Sequence, residues 1–155
     1  RTSTYVPPES PIRSIKELDG KTVGVPFGAA AQRVLADALH EAKIETDKVK
    51  LINLGMLEHG PLIRKTKPNS QKWDQFDALS GFDPIPALLE AKKSLRTIHE
   101  GKVCALVVGK RKFLMANSKA AESFLAALGE AYEYYRSHKT EANRLFTEEI
   151  GRAHV

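Results

Sequence analysis

Between Lys21 and Leu39 the chain reads KTVGVPFGAAAQRVLADAL, and the chemistry this spacing offers is capture of an anion by bare backbone. A short β-branched run ends at Pro26, turns at Phe27-Gly28 and passes at once into an alanine-rich helical pattern. The first four N–H groups of a helix have no intrahelical partner, and the macrodipole concentrates partial positive charge on them. Gly28, Ala29, Ala30 and Ala31 carry side chains small enough for a ligand to reach that backbone. An ordinary strand-to-helix turn is the competing reading of the same residues.

Other chemistries find less support. His40, His59, His99, His138 and His154 are dispersed with no metal-ligand spacing. Cys104 is the single cysteine, which excludes an intrachain disulfide and a cysteine metal cluster. It lies in the apolar run Val103 to Val108, where a small buried hydrophobe on a strand is expected. Asp74, Asp77 and Asp83 crowd one strand, but Asp83 suits a helix cap and the other two solvated or structural positions. Trp73 and the tyrosines 132, 134 and 135 could stack bases, yet the tyrosines follow a helical pattern that packing explains better. The formal charge of +5 is spread among 19 acids, with no basic run longer than Lys110-Arg111-Lys112. This favours a solvated surface biased toward small anions over a nucleic-acid footprint. Neither turnover nor a cofactor is expected.

These residues need a scaffold, and 155 residues with 42% hydrophobic content suit one domain or a lobe with an appendage. Pro7, Pro8 and Pro11 stiffen an extended lead-in, and Ser14 to Leu18 fits one helical turn. Strands are expected at Thr22 to Val25, Val49 to Leu54, Phe76 to Leu79, Leu95 to His99 and Val103 to Val108. Between them lie a helix over Ala30 to Ala42, a partial helix around Leu57 to Lys65, and a turn at Ser80 to Pro84. That turn leads into a helix to about Lys93, with Asp83 as cap and Pro84 at its first position. Asn117-Ser118 opens a long helix to about Ser137, and a shorter one follows from Thr140 to Ile150, stopped by Gly151. The order predicts an α/β fold, an open and mostly parallel sheet flanked by helices, with a C-terminal helical appendage. The opening Arg1-Thr2-Ser3, without initiator methionine or a signal-like stretch, suggests an internal piece or a processed product.

Five stretches together resemble the type II periplasmic solute-binding proteins of ABC importers for sulfonates, nitrate and taurine. They are IKELDGKTVGVP from Ile15, the turn Phe27 to Ala31, FDALSGFDP from Phe76, FLMANSKAAESFL from Phe113 and EANRLFTEEIG from Glu141. The resemblance implies two lobes closing on a ligand, of which this chain supplies one. Residues 1–11 would be an extended hinge segment, with Thr2 to Val6 as hinge strand. Residues 12–102 would be the α/β lobe, 103–112 the return hinge strand, and 113–155 helices that pack on the other lobe. It further implies that Phe27, Gly28, Ala29, Ala30 and Ala31 present N–H groups to an anionic head group. Ser80, Gly81, Phe82 and Asp83 would form a second loop at the carboxyl ends of the strands. Where relatives often carry tryptophan this chain has Phe82, and alanines replace Ser or Thr in the turn, which favours a larger or less polar organic ligand. The implied partners are a small-molecule solute and the importer's membrane permease, outside the cytoplasm, with no nucleic acid. The alternatives are an effector-binding domain of a transcription regulator, or an enzyme on the same scaffold. The cysteine-rich motif of thiamine-pyrimidine-synthesis enzymes is missing.

Overall fold

Neighbouring residues in three short runs send their side chains to opposite faces, and this alternation builds a sheet covered on both sides. In the computed structural model, which describes residues 1–104 and 106–151, Tyr5, Ile52 and Leu79 join one apolar cluster while Val6, Leu51 and Ala78 join another. Among the described residues five strands form: β1 (Thr2–Val6), β2 (Thr22–Val25), β3 (Lys50–Asn53), β4 (Ala78–Phe82) and β5 (Arg96–Gly101). Their order is β3-β2-β4-β1-β5. β2 pairs in parallel with β3 and β4, whereas β1 is antiparallel to β4 and β5. Four strands therefore point one way, as the open α/β sheet requires, and β1 alone opposes them.

Helices α1 (Ala30–Glu41), α2 (Met56–Lys65) and α3 (Ile85–Ala91) cover the sheet. Leu35, Ala38 and Leu39 of α1 recur at helical spacing and are buried against Val6, Val23 and Val25. Ile63 of α2 and Leu89 of α3 close the opposite face around Tyr5, Trp73 and Phe76. Gly24 sits on that second face, and a Cβ there would lie 2.7 Å from Leu79 Cδ2 and 3.0 Å from the Phe76 ring.

Three expectations are corrected. β4 begins at Ala78 and runs through Phe82, so Ser80, Gly81 and Phe82 are strand and not turn. The reason is β1, which pairs Thr4 with Ser80, Ser3 with Gly81 and Thr2 with Phe82. Pro84 takes the N-cap position of α3 in place of Asp83, whose carboxylate still accepts the Ala87 N–H at 3.1 Å. Residues 103–108 form no strand where they are described, and both edges of β1 are taken by β4 and β5. Cys104 is accordingly exposed and not a buried strand residue.

The chain divides into the unit Arg1–Ala105, just described, and the unit Leu106–Val155. The second holds α4 (Arg111–Ala116), α5 (Ser118–Ser137) and α6 (Lys139–Gly151), the last two where the sequence places them. Asn117 does not cap α5 through its side chain, because its Nδ2 donates to the Phe113 carbonyl at 3.0 Å. The apolar stripe of α5 is left uncovered, with Phe124, Leu125, Tyr132 and Tyr135 all about half exposed. No helix among the described residues is long and apolar enough to cross a membrane.

Since Leu79 and Phe76 occupy the space beside Gly24, Gly24→Val must displace packed side chains. We expect it to lower the stability of the first unit by about 1–3 kcal/mol, read as a shifted urea midpoint with an unchanged slope.

Candidate functional site

Parallel strands deliver their helices to one edge, so the N-termini of α1, α2 and α3 gather beyond the carboxyl ends of β2, β3 and β4. Two of these termini are answered by the chain's own carboxylates. Glu58 accepts the Gly55 N–H at 2.7 Å at the start of α2, and Asp83 accepts the Ala87 N–H at the start of α3. The first turn of α1 contains no acid. There the Phe27 N–H donates to the Asn53 Oδ1 at 2.9 Å and the Gly28 N–H to the Gln32 Oε1 at 2.8 Å, both neutral acceptors. The N–H groups of Ala30 and Ala31 have no acceptor among the described residues. The positive end of α1 is therefore the one without a compensating charge among these three. Gly28 holds φ +74°, a left-handed conformation that glycine adopts without steric cost, and Phe27 beside it is half exposed.

The residues expected in the second loop split between two tasks. Ser80 is fully buried, accepts from Thr4 Oγ1 at 3.2 Å, and its hydroxyl lies 3.4 Å from the Ala31 carbonyl. It thus ties β1 and β4 to the start of α1. Phe82, two residues on, shares the face of Ser80 and is 38% exposed. Gly81 turns to the other face, where a Cβ would fall 2.8 Å from both Met56 Sδ and Tyr5 Oη. Asp83 pairs with Arg1 at 3.4 Å, and Arg1 also reaches Glu90 at 2.8 Å and Glu100 at 2.6 Å. The hydrogen bond from Arg1 holds the Glu90 carboxyl below the usual carboxylate range. Three carboxylates against one guanidinium leave that side of the edge negative, so an anion is favoured on the α1 side.

Beneath the edge, Tyr5 Oη lies 2.5 Å from His59 Nδ1, and His59 Nε2 lies 3.3 Å from the Leu54 carbonyl. A neutral imidazole protonated on Nε2 satisfies both contacts. This chain of bonds links β1 through α2 to the loop that starts α2. Both residues are fully buried, and burial raises the Tyr5 phenol above its ordinary value.

The model of the family described as NMT1/THI5 like matches residues 2–142. The chain belongs to the NMT1/THI5-like family. No curated protein matches the sequence. Among solved structures, the periplasmic aliphatic sulphonate binding protein SsuA from Escherichia coli aligns with TM-score 0.82 and 19% identity, over 97% of this chain and 47% of that one. The alkanesulfonate-binding protein SsuA from Xanthomonas axonopodis pv. citri, bound to MOPS, gives 0.76 and 18% over 97% and 50%. A mutant of DSZB in complex with biphenyl-2-sulfinic acid gives 0.61 and 15% over 97% and 58%. At these identities the likeness is one of fold, that of periplasmic binding proteins, and this NMT1/THI5-like chain spans about half the length of the SsuA structures it matches. The resemblance read from the sequence is borne out for family and fold.

Sequence reasoning missed Asn53, Gln32, Arg1 and the Tyr5–His59 pair in this NMT1/THI5-like lobe. Gln32 carried a signal, since a Gln at the third helical position commonly reaches back to an N-terminal N–H; Arg1, Asn53 and His59 meet their partners only through the sheet. Burial lowers the His59 pKa more than the Leu54 carbonyl and Glu58 raise it. With the folded value below the unfolded one, the unfolded chain takes up the proton first. Stability is then complete above about pH 6.5 and falls as pH drops through that value. We expect urea unfolding to show a loss approaching about 1.4 kcal/mol per pH unit below about pH 6, with His59→Gln flattening this component.

Proposed function

We propose that this chain forms one ligand-binding lobe of the solute-binding component of an ABC importer, working outside the cytoplasm and delivering its cargo to a membrane permease. The observation that carries the reading is the uncompensated N-terminus of α1, flanked by the exposed rings of Phe27 and Phe82. The cargo is a small anionic or polar organic solute of the sulfonate, nitrate and taurine-like class. Its head group accepts from the N–H groups of Ala30 and Ala31, beside the turn in which Gly28 and Ala29 are bonded to Gln32 and Pro26, and its organic part lies on Phe27 and Phe82. Ser80, Gly81 and Asp83 shape the edge rather than supply free donors, because their polar groups already have partners. Likeness in fold to two SsuA proteins, one of them bound to the sulfonate MOPS, supports this choice of head group. Residues 1–11 and 103–112 serve as hinge segments around the lobe 12–102. The uncovered stripe of α5 suits residues 113–155 for packing on a second lobe. Binding, not turnover, is the task, and Cys104 has no part in it.

Calorimetric titration with short alkanesulfonates tests the site. We expect Ala30→Trp to abolish binding while leaving the unfolding midpoint within about 0.5 kcal/mol, as for a surface position; Cys104→Ser should leave affinity unchanged. An affinity untouched by Ala30→Trp refutes the assignment.

Closure from two sides excludes water that one lobe cannot. Joining the chain to a complementary lobe should therefore tighten binding at least about tenfold, or roughly 1.4 kcal/mol. Equal affinities with and without that lobe would sink the clamshell reading.

A further inference from the structure

The opposite edge of the sheet, where β1 ends and α2 and α3 finish, is basic. A cavity of about 370 Å³ opens there, lined by Arg64, Lys67 and Lys93, with Glu9 as the carboxylate among its lining residues. None of these three cations forms an ion pair among the described residues. Cations near helix C-termini ordinarily compensate the macrodipole, worth at most about half a negative charge per end. The two helix ends and Glu9 together offset about two of the three positive charges, and roughly one is left over.

Lys93 sits at the end of α3. Its φ of 55° is left-handed, and its N–H bonds the Glu90 carbonyl at 2.8 Å while that of Ser94 bonds Leu89 at 2.9 Å. Glycine is the favoured residue in such a helix ending. Lysine stands there instead, as Lys43 does after α1, and Lys93 lines the cavity. Ser70, Ser94 and Trp73 line the same space, and the Ser94 hydroxyl lies 3.5 Å from the Lys92 carbonyl.

We propose that this cavity binds a phosphomonoester, separately from the solute site at the other edge. The cations come from three places, the last turn of α2, the segment after it and the end of α3. A tetrahedral head group with three terminal oxygens answers three cations on three segments, and a guanidinium adds paired donors. A planar carboxylate offers two oxygens. The ester is either a free metabolite or a lipid head group, and both present the same phosphate.

The test uses the whole chain in two arms. Phenyl phosphate is titrated calorimetrically, and sedimentation is followed with phosphatidylcholine vesicles with and without phosphatidic acid. Saturable binding is expected in at least one arm, weakened at least about fivefold by Lys93→Gly and by Arg64→Ala, and indifferent to Ala30→Trp. Lys93→Gly relieves the left-handed residue, so the fold is retained while the charge is lost. Binding of phenyl phosphate assigns a soluble ligand, and binding confined to phosphatidic acid vesicles assigns a lipid. Absence of saturable binding in both arms, an affinity unchanged by Lys93→Gly, or a loss caused by Ala30→Trp overturns the proposal.

Discussion

Because β1 lies between β4 and β5 and runs against both, its first residues meet the carboxyl ends of the parallel strands. The organisation of the ligand-facing edge follows from this pairing. Thr4 comes opposite Ser80, whose hydroxyl reaches the first turn of α1. Tyr5 projects to the other face and meets His59, which bonds the carbonyl just ahead of α2. Arg1 lands among Asp83, Glu90 and Glu100, which belong to the β4–α3 connection, α3 and β5. A parallel strand in the same slot would take these side chains to the far edge and leave the helix starts untied.

The helix starts themselves are distinguished by charge. A carboxylate at an N-terminus satisfies N–H groups and opposes the macrodipole, typically by 0.3–1 kcal/mol, so Glu58 and Asp83 stabilise α2 and α3 at the cost of closing them to anions. At α1 the same N–H groups meet amide oxygens, which satisfy geometry and leave the field in place. The difference between a structural helix start and a receptive one here is one charge at one position.

What was legible in the sequence was local. The β2–α1 turn, with proline, glycine and small residues in order, announces itself because strand, turn and helix signals sit side by side; α5 is equally plain from its apolar stripe. The extent of β4 was not, since Ser80-Gly81-Phe82 has weak strand propensity and becomes strand only when β1 pairs with it. Val103 to Val108 shows the converse, a run with strong propensity that forms no strand where it is described. Of the candidate site, the α1 turn could be found from composition and spacing. The negative cluster at Arg1 and the buried Tyr5–His59 contact depend on residues far apart in the chain, and no local pattern encodes them.

The same central strand has a consequence for how the chain is made. β1 leaves the ribosome before its partners, which extend from Leu79 to Gly101, whereas β2, α1 and β3 can assemble as a right-handed crossover as soon as they appear. Until β4 and β5 follow, β1 is a strand with both edges open, a state prone to pairing with another chain. Insertion between β4 and β5 must wait for long-range loop closure, a slow event for a small domain. A molecular chaperone that shields residues 2–6 would therefore act on the yield of this protein more than on its final stability.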